Sequence, residues 1–476
     1  VERDGAPAAA GWLLPALACL VVVTGTIFLS ARVSSPPAIT PEAAGAQGAA
    51  EACGSQAPAI PLTGASCGPV QALQLSCALP ADIVSAPNLN TMQRSADIFS
   101  WQEFLALSWP ALPGRRGVPD AARPIGAPGP RVWETWKEEY EVFRPDGAPP
   151  GPWDAREPVP PACAGATKRL SRVQKIDDVL DAALQAAATT GTLPATLTDR
   201  KGRLVRYEIR MNRVMFDYIV QHKLYDATVQ ATAKTVAAPS GAMLVKAAWR
   251  EVTREEERSY HTVTACVCDR DDRGQPRSCR GKRMGLVGLH ITQKTPSSPQ
   301  WIWSTFEQID NVPGPGAGAH PAFYDPTCPT CPKNAQTRPG IPNQITRLTP
   351  IPAAEPNCAL PQQAVDNVQR LNADVTRALG KAGTVFRSYQ LVNTQFPLSP
   401  TGTQPPTVFG VRPPVLANTT MESFVQPTST CMGCHASART VNPTAFVSSD
   451  FSFTLNNARP APSNPNVIAP PRQPVT

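Results

Sequence analysis

Near the C-terminal end, residues 428–440 read TSTCMGCHASART, and within them Cys431, Cys434 and His435 form the pattern CxxCH. Thiols at i and i+3 followed by an imidazole fall on one turn of a helix. That arrangement suits haem attachment: the two thiols add to the vinyl groups of haem and the histidine coordinates the iron from the proximal side. The competing reading is a CxxC disulfide or redox dithiol with an incidental histidine beside it. With 13 cysteines in the chain a second CxxC does occur, Cys328 and Cys331, but Pro332 follows it and cannot bind iron. Histidine occurs only five times, so its place directly after Cys434 favours one covalently bound haem c.

The position of the motif constrains the rest of the site. No histidine or methionine follows His435, and Met432 lies inside the attachment loop. The second axial ligand therefore comes from upstream, or the sixth position is open or otherwise filled. The upstream histidines are His222, His261, His290 and His320. His222 falls on the polar side of a helix, and His320 sits in the Gly/Pro loop GPGAGAHPAF. His261 and His290 lie in strand-like stretches. His290, in the apolar run GLVGLHIT, is the first choice for the distal ligand, because a buried histidine needs a partner. His320 is second, and Met284 and Met421 follow. Trp301 and Trp303 are spaced to share one face of a strand, where they either line the haem pocket or belong to plain core.

Covalent haem attachment occurs outside the bacterial cytoplasm, and the N-terminus agrees with export. Residues 11–31 carry no charge, and about 20 apolar residues suffice to cross a bilayer as a helix. An uncleaved inner-membrane anchor is expected, with the remainder of the chain in the periplasm or cell envelope; a cleaved signal segment and a soluble protein is the alternative. Cys19 lies within this run. Setting it and the two motif cysteines aside leaves ten: Cys53, Cys67, Cys77, Cys163, Cys266, Cys268, Cys279, Cys328, Cys331 and Cys358. In an oxidising compartment this suggests about five disulfides, with Cys268 and Cys279 a natural pair. A zinc site of Cys266, Cys268, Cys328 and Cys331 is the rival.

Lysine and arginine number 44 against 37 acidic residues, a mild and dispersed net charge of +7, and no basic run interleaved with aromatics points to nucleic acid. Proline, at 54 residues, is unusually abundant. Its clusters exclude long helices and central strands there and imply loop-rich surface. Helices are expected in SADIFSWQEFLALSWPAL, capped by Ser95 or Asp97, in RVWETWKEEYEVF, where Val132, Trp133, Trp136, Tyr140 and Phe143 form one stripe, and in VQKIDDVLDAALQAA. GRLVRYEIR reads as a strand leading into the helix MNRVMFDYIVQHKLYDATV. GAMLVKAAWREV alternates Met243, Val245, Ala247 and Trp249 as a strand does, and SYHTVTACVC, RMGLVGLHITQK and PQWIWSTFEQI are further strands. A helix in PQQAVDNVQRLNADVTRAL and a strand in VFRSYQLVNTQF follow, and a short helix capped by Asn418 or Thr419 precedes the haem turn. The fold class is α+β: a sheet with antiparallel members and flanking helices, closed by a C-terminal haem-binding helical segment that is not a stand-alone cytochrome c domain. The expected divisions are a tail at 1–10, the anchor at 11–31, a Pro/Ala-rich tether at 32–90, the α+β body at 91–410, the haem segment at 411–460 and a Pro-rich tail at 461–476.

Taken together, SWQEFLALSWP, RVWETWKEEYEVF, KAAWREVT, GLVGLHITQKTPSSPQWIWSTFEQIDNVP and NTTMESFVQPTSTCMGCHASA resemble a group of exported bacterial cytochrome c family proteins over roughly residues 95–460. The resemblance implies export and a covalent haem on Cys431, Cys434 and His435. It implies no reaction and no distal ligand.

Two classes of function fit these residues. One is a membrane-tethered monohaem electron carrier passing electrons to a redox partner protein. The other is a haem enzyme of peroxidase or oxygenase type, or a haem-based sensor, with an open sixth position. The Gly/Pro loop GPGAG at 314–318 lacks the strand-to-helix setting of a nucleotide site.

Overall fold

A computed structural model describes Cys53 and residues 57–170, 196–270, 276–399 and 410–461, apart from residues 85, 87, 157, 159, 315–316, 319, 337–340, 361–362 and 364–366. The expected anchor at 11–31 and the helix expected at 173–187 lie outside the described residues. Among the described residues no helix is long and apolar enough to cross a membrane.

The chain is α+β. Among the described residues nine strands form one open sheet: β1 Lys137–Glu138, β2 Lys168–Leu170, β3 Arg206–Met211, β4 Met243–Glu251, β5 Thr262–Arg270, β6 Pro276–Gln293, β7 Ile302–Gln308, β8 Tyr389–Pro397 and β9 Val411–Arg412. Its order is β1-β3-β4-β6-β7-β8-β9, with β5 also paired to β6 and β2 beside β5. Every pairing is antiparallel except β2 with β5. The 18-residue β6 organises the sheet, pairing along one edge first with β5 and then with β7, and along the other with β4.

Two long helices cover one face. α1, Leu89–Leu107, begins at Asn88, whose side chain accepts from the Thr91 amide. It therefore starts well before Ser95 and Asp97, which are buried inside the helix. Phe104 of α1 stacks on Phe306 of β7 with ring centroids 4.5 Å apart, and Trp101 meets the same ring edge-on at 5.0 Å. The second long helix, Val368–Lys381, buries Val368, Leu371, Val375 and Leu379 at helical spacing. Its Asn372 accepts from Trp101 Nε1 and Leu391 N–H and donates to the Leu391 carbonyl, next to the register shift between β7 and β8.

The stretch RVWETWKEEYEVF is not one helix. It forms a 3-10 turn at Trp133–Thr135, then β1, then the short helix Glu139–Val142. Val132, Trp133, Trp136 and Phe143 of the stripe are buried, but β1 is drawn onto the edge of β3, and that pairing overrides helical periodicity. The helix expected over 211–229 breaks in the same way, into Arg213–Gln221 and Ala227–Gln230, around Lys223 with its φ of 52°. Trp301, at φ 69°, precedes β7 and is no strand partner of Trp303.

The ten cysteines form five disulfides: Cys53 with Cys77, Cys67 with Cys358, Cys163 with Cys266, Cys268 with Cys279, and Cys328 with Cys331. These bonds consume all four thiols of the alternative zinc set, and all three sulfurs of the close group Cys266, Cys268 and Cys279. Part of the expected tether, residues 57–84, is tied into the sheet's own unit: Cys67 is bonded to Cys358, and Thr63 is hydrogen-bonded to Asp374. The described residues all belong to one compact unit.

Charge is buried beside the helices. Lys168 Nζ lies 3.2 Å from Glu134 and 2.8 Å from Glu208, between the rings of Trp133 and Trp249. His261 is 3.1 Å from Glu134, and Arg210 is 2.7 Å from Glu208. Burial alone would raise the Glu134 carboxyl, but Lys168 and His261 hold it well below the usual carboxylate range. Burial lowers the His261 imidazole below its ordinary value, and the neighbouring Glu134 carboxylate opposes that shift. Lys168→Met removes the cation that Glu134 and Glu208 share, leaving His261 and Arg210 as their partners, and urea denaturation is expected to show a loss of about 3 kcal/mol.

Glu103 of α1 is the opposite case. It accepts 2.8 Å from Ser304 Oγ, yet burial pushes its carboxyl up to about 8. A carboxyl raised on folding stabilises below its unfolded value, and that contribution is lost as pH rises through about 8. The native protein is thus expected to lose up to about 1.4 kcal/mol per pH unit from this source between pH 5 and 8. Glu103→Gln should flatten that slope, as read by denaturation at the two pH values.

Candidate haem site

Cross-strand partners share a face of a sheet. On the face opposite α1, Lys246 of β4 stands directly across from His290 of β6, His290 across from Thr305 of β7, and Thr292 across from Trp303. The C-terminal segment lies on this face. One small, open pocket is lined by Lys246, His290, Glu422, Ser429, Thr430, Cys431, Cys434 and His435, with Val425. The structure therefore brings the CxxCH residues and His290 to the walls of a single pocket.

The CxxCH motif is helical, as its spacing predicts: Cys431–His435 form a short helix. Thr430 caps it, its side chain accepting from the Gly433 amide. Gln395 of β8 secures that end to the sheet, donating to Thr430 Oγ1 at 3.0 Å and accepting from the Met432 amide at 2.8 Å. A Cβ at Gly433 would fall 2.3 Å from Thr430 Cγ2, so this cap requires glycine inside the motif. Met432 is buried in the core, while Cys431, Cys434 and His435 are half-buried. Neither Cys431 nor Cys434 takes part in the five disulfides.

His435 is oriented on three sides. Its Nδ1 lies 2.7 Å from the Phe451 carbonyl, and its ring packs 4.5 Å from Trp303 and 5.0 Å from Phe453. A carbonyl partner makes Nδ1 the protonated nitrogen and leaves the lone pair on Nε2, the tautomer a metal ligand needs.

The opposite wall depends on a turn laid on β6. The expected helix at Asn418 or Thr419 is instead a turn whose donors are spent on the sheet. Asn418 Nδ2 donates to the Phe306 carbonyl at 2.7 Å, and Thr419 N–H and Oγ1 donate to Glu307. Tyr207 donates to the Thr420 carbonyl at 2.8 Å. The turn sits so close that a Cβ at Gly288 would lie 2.2 Å from Thr420 Oγ1. Two residues along the same face, His290 Nε2 stands 3.5 Å from Glu422 Oε2, which also accepts from the Asn418 amide.

The other candidates lie elsewhere. His261 is in the buried charge cluster, His222 ends its helix exposed beside Tyr218, and His320 is exposed. Met284 and Met421 are packed in separate hydrophobic clusters. Lys246 and Glu422 went unpredicted. A lysine amid the apolar run MLVKAAW was a visible signal; Glu422, in a turn, gave none.

Two thiols on one helical turn, an imidazole with its outer nitrogen held by a carbonyl, and a second imidazole lining the same pocket make up a donor set that fits a covalently held haem. The fold is thus α+β, and these donors meet in a pocket between its sheet and its C-terminal segment. No protein-family model matches the chain, and no curated protein or solved structure is significantly similar to it.

Gly288→Ala drives a methyl into Thr420 and Asn418. A loss of about 1–3 kcal/mol is expected in thermal or chemical denaturation. The same change at the open position Gly281, where a Cβ meets nothing within 4 Å, should cost far less.

Proposed function

We propose that this chain is an exported monohaem c-type cytochrome acting in electron transfer, with haem bound to Cys431 and Cys434, His435 as the proximal ligand and His290 as the distal one. The observation that carries the reading is the meeting of the CxxCH turn and His290 in one pocket, with the His435 Nδ1 hydrogen anchored on the Phe451 carbonyl. When bound, the haem supplies a one-electron redox centre. The residues of the chain hold that centre in place: the capped turn fixes the thiols, Trp303 and Phe453 fix the proximal ring, and the sheet brings up His290. The reading extends to a periplasmic or cell-envelope location, an inner-membrane anchor at 11–31, and a redox partner protein.

A second reading, a haem enzyme or sensor with an open sixth position, is favoured by one observation. Glu422 stands beside His290, and Lys246 lines the same wall, so His290 is placed as an acid/base residue as well as a ligand.

Export of the full chain with haem-attachment machinery decides between them. Haem is expected to survive denaturing electrophoresis, and to be lost in Cys431→Ala/Cys434→Ala. Optical and EPR spectra are expected to show low-spin iron indifferent to carbon monoxide, turning high-spin in His290→Ala. High-spin native iron that binds carbon monoxide would discard the carrier in favour of the second reading. Loss of no haem in the double cysteine variant would discard both.

A further inference from the structure

The Phe451 carbonyl that meets His435 belongs to a strained turn. Asp450 and Phe451 both have left-handed backbones, with φ of 54° and 65°. That conformation costs roughly 1–2 kcal/mol for a residue with a side chain. Two in succession need an anchor, and the Asp450 carboxylate provides it. Its Oδ2 accepts from Lys294 Nζ and from the Ala238 amide, both at 2.7 Å. The pair is buried, with side chains 6% and 1% exposed. Lys294 is itself rigid: it follows β6 directly, its amide donates to the Ala242 carbonyl at 3.0 Å, and its carbonyl accepts from Gly241 at 2.7 Å. Ser449 closes the turn from the other side, its hydroxyl donating to the Ser452 carbonyl and its amide to Ala438.

We propose that Lys294 and Asp450 are positioning residues for His435: the ion pair holds the 450–451 turn, the turn holds the Phe451 carbonyl on Nδ1, and that hydrogen bond sets the imidazole's orientation and its electron donation to iron. This rests on the haem reading above. A carbonyl drawing on Nδ1–H makes Nε2 a stronger donor, which favours the oxidised metal and lowers its reduction potential. A buried ion pair alone is weak evidence of a stabilising role; here the pair ends on the backbone group that touches the proximal ligand.

The test uses the haem-loaded full chain. Asp450→Asn keeps the shape and a residue tolerant of the left-handed region, but removes the charge that grips Lys294. The double variant Lys294→Met/Asp450→Asn leaves no unpaired buried charge and covers the case in which the single variant fails to fold. Midpoint potentials and the EPR g-values of the oxidised protein are measured for both. The potential is expected to rise in each, changing the oxidised-to-reduced ratio at a fixed potential about tenfold, which is 59 mV for one electron. The double variant should regain stability without regaining the native potential. Native potential and g-values in both variants, with haem bound and His435 still coordinated, would overturn the clamp. A native chain without covalent haem would overturn the underlying reading, and it would do so before any variant is compared.

Discussion

The close approach at Gly288 governs the candidate site. Because this position of β6 has no side chain, the turn at 418–422 lies directly on the strand, and Asn418, Thr419 and Thr420 fasten it to β7 and β3. Everything beyond that turn, including the motif at 431–435, inherits its placement. The alternation of the strand then does the rest: Gly288 admits the turn, and His290, two residues on, faces what the turn brings with it.

The two faces of the sheet mix apolar and polar contacts in different proportions. The face under α1 joins apolar contacts such as Phe104 on Phe306, which gain free energy from burial, to the buried charges around Lys168 and the Glu103–Ser304 hydrogen bond. The other face is assembled largely from directional hydrogen bonds: Gln395 to the motif's first turn, Glu307 to Thr419, and Asn418 to Phe306. Buried polar networks of this kind specify one arrangement, because a displaced member leaves unsatisfied groups. Such a surface suits a pocket whose walls come from segments more than 140 residues apart, as His290 and His435 are.

The turn at Cys431, Cys434 and His435 was legible in the sequence, since its spacing is local and survives as one helical turn. The strands at 206–211, 243–251 and 302–308 were also expected; the first half of 243–251 writes a two-residue period into the chain, whereas 302–308 is buried at every position. His290 stood out for the same reason, as a polar residue in an apolar strand. What escaped was set by distant partners. The stripe through Trp133 and Trp136 reads as helix until the β3 edge is known. The turn at 418–422 reads as a capped helix until β6 and β7 claim its donors. Glu422, Gln395 and the Phe451 carbonyl enter the site by tertiary contact alone, and no periodicity announces them.

The C-terminal segment also sets how the candidate site can be disturbed. Its strand pairing with the sheet, β8 with β9, spans only two residues. Residues 411–461 are held further by single side chains, such as Gln395 on the Met432 amide and Tyr207 on the Thr420 carbonyl. The strand ladder therefore does not depend on this segment, whereas the segment's placement depends on a few side chains that the ladder presents.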